Sequence, residues 1–133
     1  MNSRQKGKRG ELEARDYVRK WWHAPECIRS AQAGGAFTAD LLGAGDGLHV
    51  EVKRRKKIGA THFMKQAEED CGDKEVPVVL MREDQYGSWL VMFRIEDTQQ
   101  FIDIYSKNKE TSDVQSDDPM GNDSSIEGTE CPS

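Results

Sequence analysis

Asp40 and the run Glu51-Val52-Lys53 put two carboxylates and one ammonium close together in the chain, with ten residues between the aspartate and the glutamate. In a strand, Glu51 and Lys53 would project from one face and Val50 and Val52 from the other, because successive side chains alternate. Carboxylates are hard oxygen ligands suited to a divalent cation, and an ammonium beside them can stabilise charge developing on a phosphate. The chemistry these residue types suggest is metal-assisted attack on a phosphodiester. The competing reading is a solvated cross-strand ion-pair cluster, which contributes only ~0–1 kcal/mol.

The elements that must position these groups can be read from periodicity. Residues 39–42 and 48–53 read as two strands joined by a turn region at 43–47. With Asp40 opposite Glu51, Leu41 falls opposite Val50 and Ala39 opposite Val52. This antiparallel register places both carboxylates on one face and all four apolar residues on the other. Upstream, residues 8–22 read as a helix with Ala14, Tyr17, Val18, Trp21 and Trp22 in one arc. Glu11 falls in that arc, where a carboxylate is costly unless it has a partner. It is therefore a third candidate, unless it sits in a frayed first turn and offsets the helix dipole.

Residues 27–30 read as a short strand, followed by a loop of small residues at 31–36 that can approach a ligand closely. Thr61 can cap a helix over 61–71 with Phe63, Met64, Ala67 and Cys71 on its buried side, Gln66 bordering that side and Gly72 ending it. Strands at 76–81 and 89–94 follow, joined through residues 84–87, with Pro77 at an edge or opening position. Asp97 caps a last short helix carrying Phe101, Ile102 and Tyr105. The order α-β-β-β-α-β-β-α implies an α/β fold with a central mixed β-sheet flanked by helices. One domain spans 1–106, its first six residues a flexible basic arm. Residues 107–133 read as a disordered acidic tail, poor in large apolar side chains.

The net charge of −5 is unevenly spread: residues 1–65 carry 14 Lys+Arg against 7 Asp+Glu, while residues 106–133 carry two lysines against seven acids. An acidic average therefore does not exclude a polyanionic partner. The basic residues form an N-terminal set (Arg4, Lys6, Lys8, Arg9) and a set leaving the active strand (Arg54, Arg55, Lys56, Lys57), with Arg29 and Lys65 between them. Cys27, Cys71 and Cys131 are widely spaced and lack a CxxC partner, so neither a disulfide framework nor a zinc site is indicated, and Cys27 and Cys71 read as core. No apolar run approaches the ~18 residues that span a bilayer, and no signal peptide is visible, so a cytoplasmic protein is expected. His49 shares the face of Glu51 and Lys53; His23 and His62 fall near helix ends. No Ser/His/Asp arrangement or nucleotide-binding glycine pattern is present. Trp21, Trp22 and Trp89 read as core rather than base-stacking residues, so structure-selective or nonspecific nucleic-acid binding is expected.

Lys6-Gly7 through Glu11, then Arg29-Ser30, Asp40 and Glu51-Val52-Lys53 together resemble the PD-(D/E)xK nuclease superfamily and, within it, Holliday junction resolvases of the archaeal and phage type. The likeness spans residues 4–102; the family's proline before the aspartate is Ala39 here. The resemblance implies a restriction-endonuclease-like core and a Mg²⁺ site, with Mn²⁺ able to substitute. Its ligands would be Asp40, Glu51 and the Val52 carbonyl, with Glu11 completing or extending it. Lys53 would orient water or stabilise the transition state, and Gln66 would position water or phosphate. Arg4, Lys6, Lys8, Arg9, Arg29, Ser30 and Arg54 to Lys57 would contact DNA, and a homodimer would make the two symmetric nicks of junction resolution. The expected roles are phage recombination, DNA repair and genome processing. Rival readings keep the site but act on flaps, single strands or plain duplex, or keep only the basic surface as a non-cleaving DNA-binding module.

Overall fold

A computed structural model describes residues 3–34 and 38–115. Its elements follow the expected order: α1 (Ser3–Trp21), β1 (Ile28–Arg29), β2 (Leu41–Leu42), β3 (Leu48–Arg55), α2 (Ala60–Asp70), β4 (Val76–Glu83), β5 (Leu90–Met92) and α3 (Thr98–Gln115). Short 3₁₀ turns at Ser30–Ala33 and Ile95–Asp97 complete it. The five strands form one sheet in the order β1-β2-β3-β4-β5. All neighbours are antiparallel except β3 and β4, which run parallel with α2 as their crossover. This is the mixed α/β sheet that the sequence pattern implied, consistent with a restriction-endonuclease-like core.

The alternation along β3 builds two separate packing layers. Val50 and Val52 face Ala14 and Val18 of α1 in one cluster with Leu41, Val78 and Leu80. On the opposite side, Phe63, Met64 and Ala67 of α2 pack on Val79 and Met81. Pro77 lies in the opening part of β4, which β5 does not reach because it pairs only with Val79, Leu80 and Met81. Phe101 and Ile104 seat α3 on the α1 side, where Phe101 stacks on Phe93 and meets Trp22 edge-on. Gly45 makes that seat possible: a Cβ there would come within 2.6 Å of the Ile104 side chain.

Several expectations are corrected. Residues 3–6 are the first turn of α1 rather than a flexible arm, because the Lys6 ammonium pairs with Asp84 beyond the end of β4. The last helix is long and reaches Gln115, so 107–115 are not a disordered tail. Asn108 holds it, donating through Nδ2 to the carbonyls of Trp22 at 3.1 Å and Ala44 at 2.7 Å. Residues 116–133, including Cys131, lie outside the described residues. Tyr17 and Trp21 are not core: they are 47% and 61% exposed, because the expected arc is wider than the surface the sheet offers α1. Trp22 and Trp89 are half-buried against the core. Cys27 is fully buried whereas Cys71 is half-exposed. Gly59, not Thr61, precedes the first turn of α2, and Asp97 closes a 3₁₀ turn before α3. No helix among the described residues is long and apolar enough to cross a membrane.

Candidate active site

The site is built where β2 meets β3. Leu41 pairs with Val50, as the hydrophobic pattern required. Ala39 does not go on to pair with Val52; the Val52 N–H donates instead to Asp40 Oδ2 at 2.9 Å. The Asp40 main chain is fixed on both sides, its N–H donating to Val50 O and its carbonyl accepting from Ser30 N–H, each at 2.9 Å. The carboxylate therefore has little freedom, being held at the splay between the two strands.

A cleft of about 490 Å³ opens there. Lys6, Gly7 and Glu11 of α1 form one wall; Asp40 and the stretch from Val52 to Arg55 form the other. Glu51 lies behind, only 5% exposed, its carboxyl within hydrogen-bonding reach of Asp40 and its Oε2 3.0 Å from His49 Nε2. Glu11 sits in the third turn of a helix starting at Ser3, not in a frayed end. Its partner is Arg29, whose Nε donates to Oε1 at 3.0 Å.

Burial pushes the Asp40 carboxyl up to about 7; the charges of Glu51 and Glu11 add to the rise, and the Val52 N–H only partly offsets it. A carboxyl raised this far by burial and like charges is a site that a cation would relieve. The donors are carboxylates and a main-chain carbonyl, a set suited to a hard divalent ion. Glu11, Asp40 and Glu51 are not drawn into one tight cluster: the set of three donors within 4.8 Å of one another among the described residues contains none of them. Glu11 leans on Arg29 and Glu51 on His49, as mutually repelling carboxylates should when other partners are near.

Lys53 lines the cleft, its ammonium 5.7 Å from the centre of the Phe63 ring. Gln66 is half-exposed on α2 and does not line the cleft. The basic residues divide in two. Arg4, Lys8, Arg9, Arg55, Lys56 and Lys57 are exposed. Lys6, Arg29 and Arg54 are instead engaged by acids, Arg54 lying 3.6 Å from Asp84. Ser30 opens the 3₁₀ turn beside Asp40. His49, expected on the face of Glu51 and Lys53, does contact Glu51, whereas Asp84 was not anticipated, because its anchoring of Lys6 and Arg54 is a long-range contact with no local signal.

Residues 2–118 match the family described as "Phage putative PDDEXK endonuclease". Neither the curated proteins nor the solved structures gave a match. The matched region includes every described residue, and the chain belongs to this phage PDDEXK endonuclease family. Nucleases of this kind act on DNA and generally use divalent metal ions.

Proposed function

We propose that this member of the phage PDDEXK endonucleases is a Mg²⁺-dependent enzyme that hydrolyses phosphodiester bonds of branched DNA, Holliday junctions foremost, as a homodimer. The observation that carries the reading is the Asp40 carboxyl, half-buried at the cleft wall, raised to about 7 and crowded by Glu51 and Glu11 beside Lys53. Asp40, Glu51 and the Val52 carbonyl would hold Mg²⁺, with Glu11 extending the site; Mn²⁺ suits the same oxygen set. When bound, the ion supplies a water of lowered pKa and neutralises charge on the phosphate.

The remaining steps belong to the protein. Asp40 must surrender its proton to become a ligand, so it is the group whose ionisation gates the site near neutral pH. Lys53 donates from its ammonium to the attacking water or to a phosphate oxygen, where charge builds in the transition state. The exposed cations Arg4, Lys8, Arg9, Arg55, Lys56 and Lys57 hold the backbone across the cleft mouth, and Arg29, Lys6 and Arg54 would exchange acidic partners for phosphate. Gln66 lies off the cleft and takes no step. Two symmetric nicks need two sites, and the exposed apolar residues Tyr17, Trp21 and Val91, which line one groove at edge strand β5, support a self-association surface. The setting implied is recombination or genome processing in a phage-infected cell.

The test is cleavage of labelled four-way junction, flap and linear duplex in Mg²⁺ by wild type, Asp40→Ala and Lys53→Ala. The reading expects the junction to be cut fastest and both variants to lose activity, Lys53→Ala by about 10²–10³-fold. Cleavage surviving both substitutions removes the assigned site. Equal rates on all three substrates remove the preference for branches, and tight binding without cleavage makes the chain a DNA-binding module.

A further inference from the structure

A second set of metal-ligating side chains lies on the same strand, outside the cleft. The parallel register sets Leu48 beside Val76 and His49 beside Pro77, and the Val76 N–H donates to Gly47 O at 2.7 Å. This brings the turn between α2 and β4 against the start of β3. The turn is tight: the Glu75 N–H donates to Gly72 O at 3.1 Å, and the Gly72 N–H donates to Glu75 Oε1 at 2.9 Å. It presents Cys71 and Glu75 toward His49. One donor atom from each of the three residues lies within 4.8 Å of the others.

The orientation of His49 gives the cluster its meaning. Its side chain is 2% exposed, with Nε2 3.0 Å from Glu51 Oε2 and Nδ1 3.7 Å from Glu75 Oε1. An Nε2–H donated to Glu51 leaves the Nδ1 lone pair facing a carboxylate oxygen. Two lone pairs that face each other need a cation between them, either a proton on Nδ1 or a metal ion. In the metal-free chain that cation is a proton on Nδ1; the Cys71 sulfur, its donor atom within 4.8 Å of the other two, equips the cluster to exchange the proton for a metal ion.

We propose that His49 Nδ1, Cys71 Sγ and the Glu75 carboxylate form a second metal site, taking Zn²⁺ or another borderline-soft transition ion with water in the fourth position. Nitrogen, sulfur and one carboxylate are a zinc-type set with an open position, and they are a poor set for Mg²⁺, which takes oxygen ligands. Loading replaces the Nδ1–H bond of His49 and the S–H bond of Cys71 by metal bonds, releases both protons to solvent and breaks the Sγ hydrogen bond to Glu75 O, now 3.3 Å long. The surroundings are negative, with Glu75, Asp97, Glu68 and Asp73 all acting on the thiol, a setting that attracts a cation. The second imidazole nitrogen on a carboxylate completes the carboxylate–histidine–metal arrangement that fixes ring orientation. The same imidazole would therefore brace Glu51 from behind, linking the two sites. The site stands whether or not the carboxylate cleft cuts DNA.

The experiment titrates the metal-stripped full chain with Co²⁺ and with Zn²⁺ in excess Mg²⁺, which occupies the oxygen site. One Co²⁺ per chain with a thiolate-to-metal charge-transfer band is expected, displaced by Zn²⁺ and retained in Asp40→Ala. Cys71→Ser should abolish the band. Glu75→Gln should weaken Zn²⁺ binding by at least the roughly 10–100-fold that outer partners of a ligand contribute. Absence of the band, its persistence in Cys71→Ser, or its loss in Asp40→Ala would each overturn the assignment.

Discussion

The two faces of β3 are equally buried and chemically opposite. Val50 and Val52, 0% and 8% exposed, meet α1 as ordinary core. One residue away in each direction, His49 and Glu51 are 2% and 5% exposed. The apolar face is satisfied by contact alone. The polar face is satisfied only by a chain of partners running from Glu75 through His49 and Glu51 to Asp40, and that chain ends on a carboxyl raised to about 7. Burial is thus shared, whereas the cost of charge falls on one face alone.

The largest effect should come from exchanging which face is damaged. Glu51→Gln should cut cleavage by about 10²-fold or more while leaving the melting temperature in chelator unchanged or higher. Val50→Ala should do the reverse, keeping the cleavage rate at low temperature and losing roughly 1–3 kcal/mol in urea unfolding. If both variants lose activity and stability in parallel, the two faces are not functionally distinct.

A smaller effect concerns pH. The Asp40 carboxyl is raised in the fold from 3.8 to about 7, so the folded state holds a proton the unfolded chain has released. Its contribution is fully present below about pH 4 and is lost as pH rises through about 7. His49, raised chiefly by its bond to Glu51, acts in the same direction. Thermal melting in chelator should therefore decline across that window, and Asp40→Asn should make the decline shallower. An identical slope in the variant would show that Asp40 ionises normally.

The smallest effects lie at the cleft mouth and beyond it. Six exposed cations touching phosphate would give a slope of log K against log salt near −5, and Lys56→Ala should flatten it by about 0.9. Fluorescence anisotropy across a salt series measures both. Deleting residues 116–133, which carry most of the tail's acids, should tighten DNA binding at low salt only; an unchanged affinity would end the idea that the tail competes with DNA.

What the sequence revealed depends on the range of the forces involved. The alternation of His49 to Lys53, the pairing of Leu41 with Val50 and the need of Glu11 for a partner were all readable, because each follows from local periodicity. The identity of that partner, Arg29, was not readable, nor was the capture of Lys6 and Arg54 by Asp84, which turned an expected flexible arm into helix. Trp21 misled because helical periodicity marks an apolar arc without saying how much of it the sheet will cover. The length of α3 was hidden for a related reason: beyond the apolar anchors Phe101 and Ile104 its sequence is polar, and Asn108 holds it there on two distant carbonyls. The His49–Cys71–Glu75 cluster left no spacing pattern, since its members meet only through strand pairing.

Calorimetric titration of the metal-free chain with Mg²⁺ and Mn²⁺ near pH 7, repeated in buffers of different ionisation enthalpy, tests the central claim most directly. The account predicts binding that releases a proton from Asp40 and disappears in Asp40→Asn. Binding of equal strength in wild type and variant, or no binding by a wild-type chain that still cuts DNA, would contradict it.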